Sequence, residues 1–185
     1  MDKPKIEEFD PRMCQAGATR FRDALQRAVQ GPDAPVLNFI TNAQLFRADT
    51  RLFVARDGDT TAAIARLVFA DREEAMLTSV FVDRGYRNIG LGKAMVQSVI
   101  DHAHMLLLPR LKLVLRVQGD DRLPPALHLY ERCGFVLQCG VSCFRLGDDA
   151  DEAHLWSSCD DGGTIRTRSM VLDLGAARGA SRDAA

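Results

Sequence analysis

The amino-acid sequence predicts an α/β domain in which a mixed central sheet packs against helices. The chain has 185 residues, of which 46% are apolar and 26% charged, a composition typical of one globular domain with its own core. Stretches with strand-like and helix-like spacing of apolar residues alternate along it. The most informative alternation is a strand, a glycine loop and a helix between residues 75 and 103.

The N-terminal part of the chain predicts two helices and a β-hairpin. Asp57-Gly58 is a strong hairpin signal, because this dipeptide readily adopts the tight turn that joins antiparallel strands. Gly31-Pro32 ends the first helical stripe. In chain order, the predicted elements are a strand at Ile6–Phe9, helices at Cys14–Gln30 and Val36–Phe46, and strands at Leu52–Ala55 and Ala62–Ala70.

The C-terminal part predicts further strands and one short helix. A strand at Leu111–Val117 follows the helix that opens at Gly90, so it is predicted to be a parallel neighbour of the strand at Ala75–Val82. The domain is predicted to cover residues 1–174, and the tail 175–185 is predicted to be disordered because it has nothing to bury. The remaining predicted elements are a helix at Pro124–Cys133 and strands at Phe135–Cys139 and Arg168–Leu174, with a long acidic loop between these strands.

Charge and cysteine content exclude several classes of protein. The formal net charge is -1, so neither a nucleic acid nor a membrane surface is an expected partner. No apolar run reaches the length of a membrane span. The five cysteines are irregularly spaced and include no C-x-x-C pair, so no metal site is predicted. Together with an N-terminus that lacks an apolar signal segment, these cysteines predict a reducing, cytoplasmic location.

The glycine loop that follows Val82 carries the most recognisable chemistry. It joins an apolar strand to a helix start, whose unpaired N–H groups and dipole favour an anion such as phosphate. Its spacing excludes two nucleotide-binding motifs. A dinucleotide fingerprint needs a glycine where Met95 stands, and a P-loop needs a Lys-Ser or Lys-Thr pair that does not follow Gly90 or Gly92.

Three motifs in a fixed order resemble the GNAT superfamily of N-acetyltransferases. The first resembles the acetyl-coenzyme A (acetyl-CoA) loop of that family. Finding the second about forty residues later makes the resemblance far more specific than either motif alone. The motifs are Arg87-x-x-Gly90-x-Gly92 after an apolar strand, Ala126-x-x-x-Tyr130-x-x-x-Gly134-Phe135, and a terminal Met170-x-Leu172-x-Leu174 strand.

The resemblance implies an α/β (α+β) fold with a mixed, mostly antiparallel central sheet that is split near its middle, and helices on both faces. Acetyl-CoA would be the co-substrate, without a metal, and its thioester arm would enter the split. Backbone groups of Val80 and Val82 would hold the pantetheine arm, and amides from Asn88 to Lys93 the pyrophosphate. The implied coenzyme-binding residues are Val80, Phe81, Val82, Arg87, Asn88, Ile89, Gly90, Leu91, Gly92 and Lys93.

The reaction implied by the resemblance is direct attack of an amine on the acetyl thioester. Because alkyl amines have a pKa of about 10, only about one molecule in a thousand is the free nucleophile at pH 7, and a base is needed. Glu74 matches the position of the family's catalytic glutamate, with a water chain or a merely solvated Glu73-Glu74 turn as alternatives. Tyr130 matches the family's acid, which protonates the leaving thiolate, with a role as an aromatic core residue as its alternative.

Two departures from the family pattern leave a second hypothesis open. Leu123 stands where many relatives have an asparagine that touches the coenzyme. Arg116 or Gln118 stands where acetylases of protein N-termini often have a glutamate. The alternative to an enzyme is a catalytically silent GNAT-fold module that binds an acyl-CoA as a sensor or interaction domain.

The acceptor is predicted from charge alone. The segment Gly147–Asp161 contains six carboxylates, no Lys or Arg, and the single tryptophan of the chain, Trp156. In similar proteins the loop at this place borders the acceptor site, so a cationic amine is predicted: a polyamine, an aminosugar, or a lysine or peptide amine. A mobile, solvated loop is the alternative explanation. The oligomeric state stays open, with a homodimer as one alternative.

Overall fold

The computed structural model describes residues 4–30, 47–117, 126–145 and 164–175. Within these ranges the chain forms eight strands and three α-helices. The strands are β1 (Lys5–Phe9), β2 (Thr50–Asp57), β3 (Thr60–Phe69), β4 (Glu74–Val82), β5 (Arg110–Arg116), β6 (Val136–Leu137), β7 (Ser142–Arg145) and β8 (Thr164–Asp173). The helices are α1 (Gln15–Gln30), α2 (Leu91–Met105) and α3 (Leu127–Arg132), and a 3-10 turn at Arg84–Tyr86 precedes α2.

All eight strands belong to one sheet. Its order is β1-β2-β3-β4-β5-β8-β6, and β7 also pairs with β8. Every pairing is antiparallel except the one between β4 and β5, which are joined by the crossover helix α2. The mixed, mostly antiparallel sheet and its parallel pair are therefore confirmed.

The sheet opens between β4 and β5. These strands pair only at their first residues, from Glu74 opposite Arg110 to Met76 opposite Lys112. Residues 77–82 of β4 continue beside β3 but have no partner in β5, whose remaining residues pair with β8. This opening is the split that the resemblance implies.

An irregularity in β4 lies next to this opening. Ile64 of β3 pairs with Phe81, whereas Arg66, two residues further along β3, pairs with Thr78. The one extra residue in β4 is a β-bulge, and Ser79 within it has a φ of 52°. A serine in the left-handed region is strained, since its Cβ crowds the backbone there.

Helices cover both faces of the sheet. On one face, α1 packs Phe21 and Leu25 against Leu52 and Ile64. On the other face, α2 packs its apolar stripe against the sheet, with α3 beside it. Because both of its faces are covered, β3 is apolar along almost its whole length rather than in alternation. Helices on both faces are thus confirmed.

Most of the predicted elements occur with shifts of one or two residues at their ends, and one strand was missed. The prediction of a loop from the end of β6 to Arg168 is wrong, because β7 lies there and β8 begins at Thr164. Four residues are too short for a periodic signal, and β7 is defined by its pairing with β8, which is remote in sequence. Four predicted regions lie outside the described ranges: the helix Val36–Phe46, the start of the helix at Pro124, the whole Gly147–Asp161 loop and residues 176–185.

None of the helices in the described ranges is long and apolar enough to cross a membrane.

Candidate active site

The turn between β4 and α2 is held by its own hydrogen bonds. The Asp83 carboxylate accepts the Gly85 N–H at 3.1 Å, and the Asp83 carbonyl accepts the Tyr86 N–H at 2.9 Å. Arg87 donates from Nε to the Val82 carbonyl at 2.9 Å. These local bonds fix the path of the chain from the end of β4 to the start of α2.

The last residues before α2 expose its first amide groups. Asn88 has a φ of 62° and Gly90, the N-cap, a φ of 86°, both in the left-handed region that asparagine and glycine tolerate best. No side chain caps the helix at Gly90, and a Cβ built there would meet no atom within 4 Å. The N–H groups of the first turn of α2 therefore have no capping side chain at Gly90, as an anion-binding helix start requires.

The charged and apolar side chains of this loop differ in how firmly they are held. The Arg87 guanidinium carbon lies 5.7 Å from the centre of the Phe81 ring, in addition to its bond to Val82. Ile89 is 62% exposed, although it lies in the middle of the loop. Lys93, in the first turn of α2, is exposed. Positive charge thus stands at the helix start, in the same place as the open amides.

The residues expected to line a coenzyme arm lie on the unpaired part of β4. Val80 and Val82 pack against the apolar cluster on the α2 face, and Phe81 packs against the cluster on the α1 face. Their β3 side is hydrogen-bonded, since Val82 pairs with Ala63 and Phe81 with Ile64. The opposite edge of these residues faces the opening between β4 and β5.

Helix α3 brings Tyr130 towards the same region. A Cβ built on Gly92 would lie 3.4 Å from Leu129 of α3 and 3.6 Å from Val82 of β4, so Gly92 lets α3, α2 and β4 approach closely. The neighbouring Tyr130 is 8% exposed and stands edge-on to Phe135, with ring centres 6.0 Å apart.

The Tyr130 phenol is neutral and its hydroxyl is available. Burial, and to a smaller extent the neighbouring Cys133 thiol, raise the pKa of Tyr130. Because the shift is upward, the phenol keeps its proton throughout the physiological pH range. Within the described ranges its hydroxyl forms no hydrogen bond, so none of the described residues holds the proton that it would donate.

Glu74 is not brought together with the other predicted site residues. It is the first residue of β4 and pairs with Arg110 at the closed end of the β4–β5 ladder. Its carboxylate lies 3.9 Å from the Lys112 ammonium. Val80 is six residues further along, which corresponds to roughly 20 Å of extended strand. The structure thus gathers Tyr130, the glycine loop and residues 80–82, and separates Glu74 from them.

Two polar residues beside the opening were missed in the sequence. Arg66 is 8% exposed, and its Nε donates to the Thr78 hydroxyl at 2.9 Å. The hydroxyl oxygen of Ser79 is buried and has no hydrogen-bond partner among the described residues. An arginine within the apolar run from Ala62 to Phe69 was the one available signal for this site.

Comparison with solved structures supports the same fold. The ribosomal-protein-S18-alanine N-acetyltransferase from Escherichia coli superposes with a TM-score of 0.61 at 19% identity, covering 92% of this chain and 93% of that one. The aminoglycoside 6'-N-acetyltransferase from Enterococcus faecium gives 0.62 at 13% identity, covering 92% and 97%. A GNAT family acetyltransferase from Elizabethkingia anophelis with acetyl-CoA bound gives 0.59 at 14% identity, covering 94% and 99%.

Sequence comparison identifies the family. Among curated protein sequences, none is similar enough to count as a match. The model of the acetyltransferase (GNAT) family matches residues 18–135, a range that runs from α1 to the end of the second motif. Because this match spans more than half of the chain, the protein belongs to the GNAT acetyltransferase family.

Proposed function

We propose that this protein transfers an acetyl group from acetyl-CoA to a primary amine, by direct attack of the amine on the thioester. The observation that carries the proposal is the course of β4, which parts from β5 after Met76 and runs into an uncapped helix start at Gly90. An extended thioester arm fits the open edge of a strand, and a pyrophosphate fits free amides at a helix N-terminus. One continuous stretch, from Val80 to Lys93, therefore offers both contacts.

Tyr130 is the proposed proton donor. When the amine nitrogen forms its bond to the acetyl carbon, the carbon–sulfur bond breaks and its electron pair stays on sulfur. The thiolate then takes the phenolic proton, and the nitrogen gives up one proton to a base. A buried phenol with a raised pKa is a weaker acid than a free one, but the same burial disfavours the thiolate, so the transfer remains balanced.

The proton acceptor is proposed to be Glu74 or water. A general base must lie within hydrogen-bond reach of the proton, directly or through one water molecule. Glu74 lies roughly 20 Å of strand away from Val80, and Lys112 is its nearest ionic partner. This separation favours water as the immediate proton acceptor. Glu74 would then receive the proton only through a chain of water molecules.

The proposed acceptor is cationic. Support comes from the acidic composition of Gly147–Asp161, which would concentrate cations near an acceptor site. That segment lies entirely outside the described ranges, so the proposal rests on its sequence. Two proteins of similar fold are named as acetylating a ribosomal-protein alanine and an aminoglycoside, and both substrates are amines.

Calorimetric titration with acetyl-CoA tests the coenzyme site. The double variant Gly90→Asp, Gly92→Asp puts carboxylates at the open helix start and should lose at least tenfold in affinity. Gly58→Asp is the matched control, since Gly58 also has a positive φ, 56°, and open surroundings, but lies in the β2–β3 hairpin. Equal binding by the wild type and the double variant, or loss in the control as well, would contradict the proposed site.

A second candidate function is a silent module that binds acyl-CoA without turnover. The position of Glu74 favours it, because the base implied by the resemblance stands at the closed end of the β4–β5 pair. Release of free coenzyme thiol in the presence of a panel of primary amines separates the two functions. An enzyme releases thiol with at least one amine, whereas a silent module binds acetyl-CoA and releases none.

A further inference from the structure

Arg66 is a buried cation without an ionic partner in the described part of the chain. It lies in the middle of β3 and is 8% exposed. Its Nε donates to the Thr78 hydroxyl at 2.9 Å, and this is the one hydrogen bond of the guanidinium among the described residues. Its two terminal nitrogens donate to no group in those ranges. A guanidinium carries five N–H donors, so most of its hydrogen-bonding capacity is unused.

The charges nearest to Arg66 do not neutralise it. Asp49 attracts it, but the Asp49 carboxylate is held by Arg47 at 2.6 Å and 3.0 Å, and Arg47 repels it. Burial is the largest effect and lowers the pKa of Arg66 to about 10, which leaves the group charged at pH 7. A buried charge that is neither paired nor fully hydrogen-bonded is costly, so an anionic ligand would offset the cost.

Arg66 lies on β3, directly opposite the first part of β4 that has no partner in β5. Arg66 pairs in register with Thr78, two residues beyond Met76, where pairing with β5 ends. The bulge at Ser79 follows directly, and the buried Ser79 hydroxyl oxygen lacks a partner within the described ranges. The residue opposite Arg66 and the residue with the buried hydroxyl are therefore neighbours in β4, and both Arg66 and Ser79 have hydrogen-bonding capacity that the described residues do not use.

This group of residues lies on the face of the sheet opposite to α2. Arg66 is two residues from Ile64, which packs against α1, whereas the alternate residues Ala65 and Leu67 belong to the cluster on the α2 face. The other face beside β4 is covered by α2 and α3, and on the Arg66 face α1 packs near Ile64 and Phe81. An acceptor held by Arg66 would therefore approach a thioester lying along β4 from the α1 face.

We propose that Arg66 binds a carboxylate of the acceptor, so that the acceptor carries an amine and a carboxylate. This inference rests on the acetyl transfer proposed above. With Nε held by Thr78, the two terminal nitrogens present the paired N–H groups that bind both oxygens of a carboxylate. An amino acid or a peptide end with a free carboxylate meets this requirement, and a dibasic one also meets the cationic preference. Polyamines lack the carboxylate.

Lysine and cadaverine provide the decisive pair of substrates, since they differ only in the carboxylate. The release of thiol from acetyl-CoA is measured with free amino acids and with their amides. Lysine is compared in the same way with cadaverine and with lysinamide. The wild type should prefer the best free acid over its amide roughly tenfold to a hundredfold in kcat/KM. Arg66→Met should abolish this preference and leave the affinity for acetyl-CoA unchanged. Arg66→Lys, which keeps the charge but not the planar pair of donors, should retain part of it.

Arg51→Met is the matched control. Arg51 is a half-buried β2 arginine whose guanidinium lies 3.3 Å from Asp10 and 3.8 Å from Glu8, so it already has ionic partners. It should keep the preference for the free acid. Where thiol is released, the proposal is overturned if no free acid in the panel is preferred over its amide, if Arg66→Met keeps the preference, or if Arg51→Met loses it.

Binding is measured separately from turnover, by titrating lysine and cadaverine into the chain saturated with coenzyme A. Tighter binding of lysine that is lost in Arg66→Met supports the carboxylate site even if no thiol is released. In that case the proposed transfer fails and the site stands. If thiol is released equally well with and without the carboxylate, the proposed transfer stands and the carboxylate site fails.

Discussion

The two faces of the sheet beside the open part of β4 are built in different ways. On the α2 face, one continuous stretch, residues 82–93, forms the turn and the first turn of α2, mostly with hydrogen bonds between near neighbours, and no side chain caps the helix start. On the α1 face, Arg66 of β3 bonds to Thr78 of the neighbouring strand β4, and the buried hydroxyl of Ser79, next to Thr78, has no partner among the described residues. The first proposed site thus depends on one short stretch of sequence, whereas the second depends on the pairing of two strands.

The largest expected contrast concerns stability. Met95 is fully buried among apolar residues on the α2 face, so Met95→Ala should lower the free energy of unfolding by about 2–5 kcal/mol. Arg66→Met removes an unpaired buried charge and keeps an unbranched, apolar side chain, so the free energy of unfolding should stay the same or rise by about 1 kcal/mol or more.

Urea unfolding of the wild type and both variants measures this contrast. If Arg66→Met is as destabilising as Met95→Ala, Arg66 is a structural residue that the fold needs. Its charge would then stabilise the fold, and stability would give no support to its role in binding a ligand.

The next largest effect is expected at Tyr130. Tyr130→Phe keeps the ring against Phe135 and removes the proton donor, so kcat should fall roughly a hundredfold or more, with the affinity for acetyl-CoA unchanged. Steady-state kinetics and calorimetry measure the two quantities. Unchanged turnover in this variant would remove Tyr130 from the acid role.

The pH profile offers an independent check on the same residue. Because burial raises the pKa of Tyr130, the phenol stays protonated as the pH passes about 10, where a free phenol ionises. Meanwhile the amine loses its proton and becomes reactive, so wild-type kcat/KM should still rise between pH 7 and 10. If kcat/KM of the wild type falls within this range and that of Tyr130→Phe does not, the pKa of Tyr130 is that of an ordinary phenol.

The proposed coenzyme side was largely predictable because its determinants are contiguous. Asp83, Gly90 and Gly92 act through turns and helix ends within a dozen residues, and such local preferences leave a readable spacing. The parallel strand β5 was predictable for a similar reason, since a strand after a crossover helix returns beside the strand before it.

The opposite side was not predictable because its determinants are distant in sequence. Arg66 and Thr78 are twelve residues apart and meet only through the β3–β4 register, which the bulge at Ser79 shifts by one residue. Nothing in the local sequence around Ser79 signals a positive φ. Likewise, the distance between Glu74 and the opening depends on where β4 parts from β5, which no spacing in the sequence specifies.

A smaller effect should distinguish the strained residues on the two sides. Ser79→Gly removes both a left-handed serine and a buried, unpartnered hydroxyl, so the free energy of unfolding should rise by about 1 kcal/mol. Asn88→Gly is the counterpart in the coenzyme loop, at a φ of 62° that asparagine tolerates, and should change stability by less than about 0.5 kcal/mol. Urea midpoints that rank the two variants in the reverse order would show that Ser79 is not strained in solution.

The smallest expected effect is at Glu74, where the family resemblance and the strand geometry disagree. Glu74→Gln keeps the size of the side chain and removes its ion pair with Lys112, a half-exposed contact at 3.9 Å that should contribute less than about 1 kcal/mol to stability. If water accepts the amine proton, kcat/KM should fall by less than about threefold, as for the neighbouring control Glu73→Gln. If Glu74 is the base, the loss should be about a hundredfold and largest near pH 7, where the amine is mostly protonated. Kinetics of both variants across pH 7 to 10 therefore decide whether the closed end of the β4–β5 pair takes part in the chemistry.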